Sequence, residues 1–167
     1  MKLVSPVNTW RVTSPFGPRW GTMHNGVDLP VVSGTLTRTP LSGKVISASF
    51  NNDKCGGTIV TEHKNPFEGG TMRLAYCHMR EIYVKKGQKI GTGGSIGATG
   101  GIVNEKGAGN SLGPHLHFGV KFNNTWVDPN KYFQAGELKP TSNIKTIVFL
   151  VYISAISYVA YSLLRKR

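Results

Sequence analysis

The hydrophobic pattern of the first 136 residues is that of short strands separated by turns. Runs of alternating or β-branched apolar residues recur, and Gly, Pro, Asn or Asp bounds most of them. Such runs are typical of strands in a sheet with many turns. No amphipathic helical period is evident before residue 144, so the sequence predicts a mostly β, antiparallel domain. The predicted strands are Trp10–Thr13, Val27–Val32, Gly43–Ser49, Thr58–Glu62, Met72–Cys77 and Leu116–Phe122.

The pattern changes after residue 136. Residues 137–143 are polar and include Lys139-Pro140, which is typical of a linker, whereas residues 146–164 form an uncharged run of 19 residues. A helix of that length is about 28 Å long, close to the hydrocarbon thickness of about 30 Å. A buried core helix is the alternative. The predicted organisation is a domain at 1–136, a linker at 137–143, a transmembrane helix at 144–164 and a basic tail at 165–167.

The predicted helix also has an orientation and a candidate contact face. Residues Met1–Asn8 contain no apolar run of signal-peptide length, so we expect a single-pass protein anchored by its C-terminus without a cleavable leader. The basic triplet outweighs Lys145, which favours the triplet on the cytoplasmic side and the domain outside. One face of the helix is predicted to contact a partner helix. Its residues are Ser154, Ser157, Tyr158 and Tyr161.

The composition adds a basic charge to this picture. The formal net charge is +12, from 20 Lys and Arg against 8 Asp and Glu. Five of the basic residues flank the apolar C-terminal run, and the rest of the chain keeps an excess of base. That excess is either an ordinary basic surface or an attraction to anionic cell-wall polymer or lipid. Nucleic acid is disfavoured as a partner, because no basic helix and no aromatic-basic motif is present.

Two cysteines, Cys55 and Cys77, are too few to form a metal site by themselves. Each lies at one end of a strand-like run, so they are candidates to face each other across neighbouring strands. A disulfide would indicate an oxidising location. A pair of buried thiols is the alternative.

The candidate chemistry lies in two short segments, His24–Asp28 and Gly113–Gly119. Residues i and i+2 face the same way in an extended strand, so we expect His115 and His117 to point together. His24 and Asp28, at i and i+4, would also share a face in a strand. Two imidazoles and one carboxylate are a suitable ligand set for an open zinc site. His78 ends another predicted strand and is a further candidate, whereas His63 has no such partners and is interpreted as structural or surface.

The motifs around these residues resemble those of the lysostaphin-like (LytM-type) zinc endopeptidases, which cut peptidoglycan peptides. His24–Leu29 matches the family's His-x-Gly-x-Asp-hydrophobic element, and Gly113–Phe118 matches its closing motif. The resemblance covers about residues 14–132, in the family's order. The other similar segments are Ser14–Arg19, Gly34–Val45, Tyr76–Met79, Val84–Gly101 and Val127–Pro129.

The resemblance implies a lysostaphin-like peptidase fold and one zinc ion held by His24, Asp28 and His117. It also implies that His78 and His115 are the catalytic pair. One of them accepts a proton from the attacking water and the other stabilises the tetrahedral intermediate, in an order that the resemblance leaves open. The hairpin between residues 62 and 72 and the loop 104–110 are longer than the family pattern, so the family's cleavage preference is not carried over.

The resulting expectation is a membrane-anchored zinc endopeptidase that hydrolyses peptide bonds in peptidoglycan cross-links. A phage lytic enzyme carried by the virion is favoured, because delivery without an export signal needs another route. The alternatives are a bacterial wall-remodelling endopeptidase and a non-catalytic module of the same fold that binds wall peptides or activates a partner hydrolase. The expected location is a virion membrane or a bacterial inner membrane, with the domain facing the cell wall.

Overall fold

Two antiparallel sheets carry most of the regular structure in the computed structural model, which describes residues 2–139. A single 3-10 helix, Pro129–Lys131, is the one helical element among those residues. The strands, in chain order, are β1 Leu3–Val4, β2 Gly17–Arg19, β3 Thr22–His24, β4 Val27–Leu29, β5 Leu36–Arg38, β6 Gly43–Phe50, β7 Gly57–Lys64, β8 Thr71–Cys77, β9 Met79–Ile82, β10 Lys89–Ile90, β11 Ser95–Thr99, β12 Leu116–Phe122, β13 Thr125–Val127 and β14 Phe133–Gln134.

Strand β12 is central to the larger sheet, whose strand order is β10-β6-β7-β8-β12-β13. One edge of β12 pairs along its length with β8, from His117 opposite Cys77 to Phe122 opposite Met72. Its other edge is shared, because β4 pairs with its first residues and β13 with its last. The start of β12 therefore lies between β4 and the end of β8, which brings three distant chain segments together.

The core lies between this sheet and a smaller sheet of order β5-β11-β9. Alternate residues of β7 and β8 are buried, which gives one apolar face and one outward face as the period-two pattern requires. The partly buried Trp10 extends this core at one side, since its ring stacks on Phe133 at a centroid distance of 5.5 Å and meets Phe118 edge-on at 6.2 Å. The largest fully buried side chains include Tyr76, Phe118, Phe133, Leu29, Ile59, Leu74 and Ile96.

The mostly β, antiparallel class predicted from the pattern is confirmed, and the long predicted strands lie close to β6, β7, β8 and β12. The strand predicted at Trp10–Thr13 is wrong. The Trp10 ring instead packs on Phe133, and the Thr13 N–H donates to the Asp28 carbonyl at 3.0 Å. The strand predicted at Val27–Val32 is shorter, because β4 ends at Leu29 before Pro30. Proline has no N–H to donate to a ladder.

The predicted membrane segment lies outside the described residues. The same holds for the basic tail, for most of the linker, and for the candidate helix contact through Ser154, Ser157, Tyr158 and Tyr161. Within residues 2–139, no helix has both the length and the apolar character needed to cross a bilayer.

Candidate active site

The three predicted metal ligands converge at the start of β12. His117 lies directly opposite Asp28 of β4, and His24 ends β3. His117 Nδ1 is 2.9 Å from Asp28 Oδ1, and His24 Nε2 is 3.0 Å from His117 Nδ1 and 3.2 Å from the same Asp28 oxygen. Three ligand atoms from three strands therefore face one point.

The backbone that brings His24 and Asp28 together differs from the single strand that the sequence predicted. His24 and Asp28 do not share a strand face, because β3 ends at His24 and β4 begins at Val27. The break passes through Gly26, where a Cβ atom would lie 2.8 Å from His117 Nε2 and 2.7 Å from the Phe118 carbonyl oxygen. A glycine is required at this position because the His117 ring lies against the backbone.

Hydrogen bonds set the protonation of the ligands. The His24 Nδ1–H donates to the Pro15 carbonyl at 2.7 Å, so the lone pair of His24 Nε2 faces the site. Burial opposes the charged carboxylate of Asp28, but the adjacent imidazoles of His117 and His24 hold its pKa well below the usual range. An ionised carboxylate and an imidazole lone pair thus point at the same place, which is an arrangement that attracts a cation.

The spacing of the three atoms fits a zinc ion. Ligand atoms about 2.0–2.1 Å from a tetrahedral ion lie about 3.3 Å from one another. The three distances here are 2.9, 3.0 and 3.2 Å. The donor set of two imidazole nitrogens and one carboxylate oxygen is also the type that zinc prefers, and three protein ligands leave a position for water or substrate.

The predicted catalytic pair lies beside this group. The His78 and His115 rings are 4.6 Å apart between centroids, and His115 Nε2 is 3.7 Å from Asp28 Oδ1. His115 does not lie on the strand face predicted for it, since β12 begins one residue later at Leu116. It reaches the site from the preceding turn.

Both histidines of the pair donate Nδ1–H to a backbone carbonyl, which leaves Nε2 as the acceptor. The partner of His115 is Gly113 at 2.8 Å, and the partner of His78 is Ala108 at 2.7 Å. Burial and the nearby His115 lower the pKa of His78 to about 4. His78 is therefore neutral at pH 7, and its Nε2 atom carries the lone pair.

Sequence reasoning missed two side chains that orient these groups. Arg19 contacts Asp28 Oδ2 at 3.3 Å and also hydrogen-bonds Ser14. Ser111 Oγ lies 2.9 Å from the Gly101 carbonyl and 3.2 Å from His115 Nδ1. Arg19 belongs to the Ser14–Arg19 motif, so its position was available as a signal, but its role follows only from the contact.

The two cysteines form a disulfide, with their Cα atoms 4.8 Å apart, so of the two alternatives the structure has the cross-link. Cys77 ends β8 directly before His78. His63 lies elsewhere: it is buried, and its ring hydrogen-bonds the Ser42 carbonyl and the Thr61 hydroxyl.

The site opens into a cleft of about 540 Å³. Two nearly fully exposed apolar side chains line the cleft, Trp20 at 89% and Leu112 at 92%. Trp20 lies in the turn between β2 and β3, and Leu112 lies in the loop before β12. An extended chain entering the cleft would meet an apolar surface beside the ligands.

Comparison with known proteins agrees with this geometry. The model of peptidase family M23 matches residues 22–129. The peptidoglycan DD-endopeptidase ShyA of Vibrio cholerae is 35% identical over 121 residues, which is 68% of this chain and 25% of the relative. The chain spans about a quarter of the length of the curated relatives it matches.

Solved structures share the fold. The catalytic domain of lysostaphin from Staphylococcus simulans has a TM-score of 0.58 and 30% identity, covering 75% of this chain and 90% of that one. A zinc-containing peptidase from Vibrio cholerae has a TM-score of 0.62 and 29% identity, covering 77% of this chain and 39% of that one. The family model covers more than half of the chain and includes the four histidines and the aspartate of the site. The chain therefore belongs to peptidase family M23, as its motifs indicated.

Proposed function

We propose that the chain is a zinc-dependent endopeptidase that hydrolyses peptide bonds in peptidoglycan cross-links. The observation that carries the proposal is the convergence of His24, Asp28 and His117 beside two further imidazoles in one open cleft. A non-catalytic module would need neither the donor set nor the second pair. Similarity to peptidoglycan DD-endopeptidases of Vibrio cholerae supports the same reaction class.

The side chains divide the work by position. Zinc, when bound, lowers the pKa of a water molecule and polarises the scissile carbonyl. His78 and His115 would take a proton from the attacking water, stabilise the developing oxyanion and return a proton to the leaving amine. Their carbonyl partners keep both Nε2 atoms directed away from the backbone, so neither ring needs to reorient before proton transfer.

The outward face of the larger sheet carries a row of basic residues that would attract an anionic substrate. His117 and Lys121 point to the same face of β12, four residues and about 13 Å apart. Successive opposite residues across the sheet are Lys121 on β12, Arg73 on β8, Glu62 on β7 and Lys44 on β6. Lys89 follows on β10. This basic row (Lys44, Arg73, Lys89 and Lys121) crosses the sheet and includes a single acid, Glu62, which pairs with Arg73 at 2.9 Å. Peptidoglycan peptides carry carboxylates, so the row would attract them.

The proposal includes a membrane anchor, and its support is the sequence alone. The apolar run at 146–164 and its basic flanks would anchor the chain in a membrane, and the short linker at 137–143 would span at most about 25 Å. The domain would then work close to that membrane, facing the wall. Delivery by a phage virion and residence in a bacterial inner membrane both fit this arrangement.

The test is cleavage of purified sacculi by the full chain in detergent. We expect turbidity to fall, to stop on addition of a chelator and to recover with zinc. Mass spectrometry of the released muropeptides identifies the bond that is cut. His63→Gln, a change at a buried histidine outside the cleft, should keep the activity, whereas binding to sacculi without cleavage would overturn the proposal in favour of a binding module.

A further inference from the structure

His78 has an unusual backbone conformation for a residue with a Cβ atom. Its φ angle is +62°, in the left-handed region that glycine normally occupies. Residues in such conformations persist where the surrounding structure holds them, and they are concentrated at functional sites. What holds His78 therefore also sets the direction of its imidazole.

Two backbone contacts and one side-chain contact hold this residue. The His78 N–H donates to the Cys55 carbonyl at 2.9 Å, and the His78 carbonyl accepts from the Gly100 N–H at 2.7 Å. The Nδ1–H donates to the Ala108 carbonyl at 2.7 Å. All three partners lie outside the strands: Gly100 directly follows β11, and Cys55 and Ala108 lie in two loops.

The turn at residues 53–57, which contains Cys55, is hydrogen-bonded to the loop that contains Ala108. The Lys54 carbonyl accepts from the Asn110 N–H at 3.0 Å, and the Gly57 N–H donates to the Gly107 carbonyl at 2.9 Å. The turn thus supplies one partner of His78 and supports the segment that supplies the other. Its own position relative to β8 is set covalently by the disulfide between Cys55 and Cys77.

We propose that the Cys55–Cys77 disulfide is a positioning device for His78, and that breaking it lowers turnover without releasing the metal. The inference rests on the proposed function of His78. The cross-link joins Cys77, the residue before His78, to Cys55, whose carbonyl accepts from the His78 N–H. The disulfide and this hydrogen bond together close a small ring, the frame, beside the backbone that bears the imidazole. Of the ligands, His24 and Asp28 lie on β3 and β4, away from the disulfide. His117 is opposite Cys77, but the β8–β12 ladder holds it there rather than the turn at 53–57.

The device responds to redox conditions. A phosphine reductant breaks the S–S bond and takes up an oxygen atom from water, which yields two thiols and one phosphine oxide. The domain would then keep its ligand set but lose the constraint on the turn at 53–57. Full activity would require the oxidised form, which suits a location where disulfides persist.

The first experiment compares Cys55→Ala/Cys77→Ala with wild type and with Val120→Ala, a core variant that loses stability without touching the frame. We expect the cysteine variant to lose at least tenfold in kcat on a muropeptide, with KM within about twofold and zinc content unchanged. We expect Val120→Ala to keep its kcat below its melting temperature. A cysteine variant with wild-type kcat, or a loss equal to that of Val120→Ala, would overturn the inference.

A cycle with His78→Gln separates positioning from a general structural role. If the disulfide acts through His78, removing it in the His78→Gln background costs little further turnover; an undiminished loss there would contradict the inference. Should the double alanine variant fold poorly, folded wild type treated with a phosphine replaces it in the same comparison.

An NMR readout keeps the inference testable apart from catalysis. The His78 Nδ1–H proton is hydrogen-bonded to Ala108 in the oxidised protein, and its resonance should exchange faster after reduction. An unchanged resonance would reject the positioning role even in an active enzyme. Absence of hydrolysis by zinc-loaded wild type would instead reject the proposed function, while this resonance would still report on the frame.

Discussion

Arg19 contacts only one oxygen of the Asp28 carboxylate: its Nη1 atom lies 3.3 Å from Oδ2. The other oxygen, Oδ1, is thereby left to face the two histidine ligands. The ion pair is partly buried, so water screens it less than it would an exposed pair. Arg19 thus orients the carboxylate.

We therefore predict that Arg19→Gln weakens zinc binding. Removing a partner that orients a metal ligand commonly costs about 10–100-fold in metal affinity. Competition with a chromophoric chelator measures the change. Arg11→Gln is the matched control, because Arg11 is exposed and lies outside the cleft. Equal zinc affinity of the two variants would show that the carboxylate is held without Arg19.

A second prediction separates the ligands from the catalytic pair. His117→Ala removes a nitrogen that lies within 3.0 Å of the other two ligand atoms, so we expect it to lose zinc. His115→Ala removes a ring whose Nε2 is 3.7 Å from Asp28, so we expect it to keep zinc and lose most turnover, about 10²-fold or more. Elemental analysis of the two purified variants decides the matter. The same zinc content in both would show that the assignment of roles is wrong.

The long strands are the part of this fold that the sequence predicts. Strands β6, β7, β8 and β12 each have seven or eight residues, long enough for alternation to be visible in the sequence. Strands of two or three residues, such as β2 and β3, are too short to show any period. They form because a hairpin and its neighbours provide partners, which is tertiary information.

The candidate site was likewise predictable only in part. The motifs indicated five side chains, and the structure brings all five into one cleft. The groups that orient them were not predictable, because the carbonyls of Pro15, Gly113 and Ala108 can belong to any residue type. The left-handed backbone of His78 was equally invisible, since histidine gives no sign of the conformation that glycine would.

A third prediction concerns the basic row on the sheet. Lys44→Gln/Lys121→Gln removes two positive charges from the face that carries His117, and we expect sacculus binding to weaken about threefold to tenfold at low salt. The difference should shrink as salt rises, because exposed charges are screened. Cosedimentation at two ionic strengths measures it. Arg11→Gln/Lys131→Gln removes the same charge from exposed positions outside the sheet; an equal loss in that control would point to net charge rather than to the row.

The last prediction uses His63, which is buried away from the cleft. Its Nδ1–H donates to the Ser42 carbonyl at 3.1 Å, and its Nε2 accepts from the Thr61 hydroxyl at 2.7 Å, so the neutral ring is satisfied. Burial lowers the pKa of His63 from 6.5, although the Ser42 hydrogen bond and Glu62 partly oppose that shift.

The sign of the resulting pH dependence follows from proton uptake. As the pH falls through about 6.5, the unfolded chain protonates His63 while the folded chain does not, so the free energy of unfolding declines. The contribution is present above that pH and is lost below it. The His63→Gln variant lacks this pH-dependent contribution to the free energy of unfolding. We therefore expect the stability advantage of wild type over His63→Gln to be larger at about pH 7.5 than at about pH 5.5.

Urea unfolding of both proteins at the two pH values, with the same zinc concentration, measures this difference. Because both proteins carry the same metal ligands, the pH dependence of the metal site cancels in the comparison. An advantage that stays constant, or that grows as the pH falls, would mean that His63 is protonated in the folded domain. In that case burial would not be what sets its charge, and Glu62 would be the first residue to mutate.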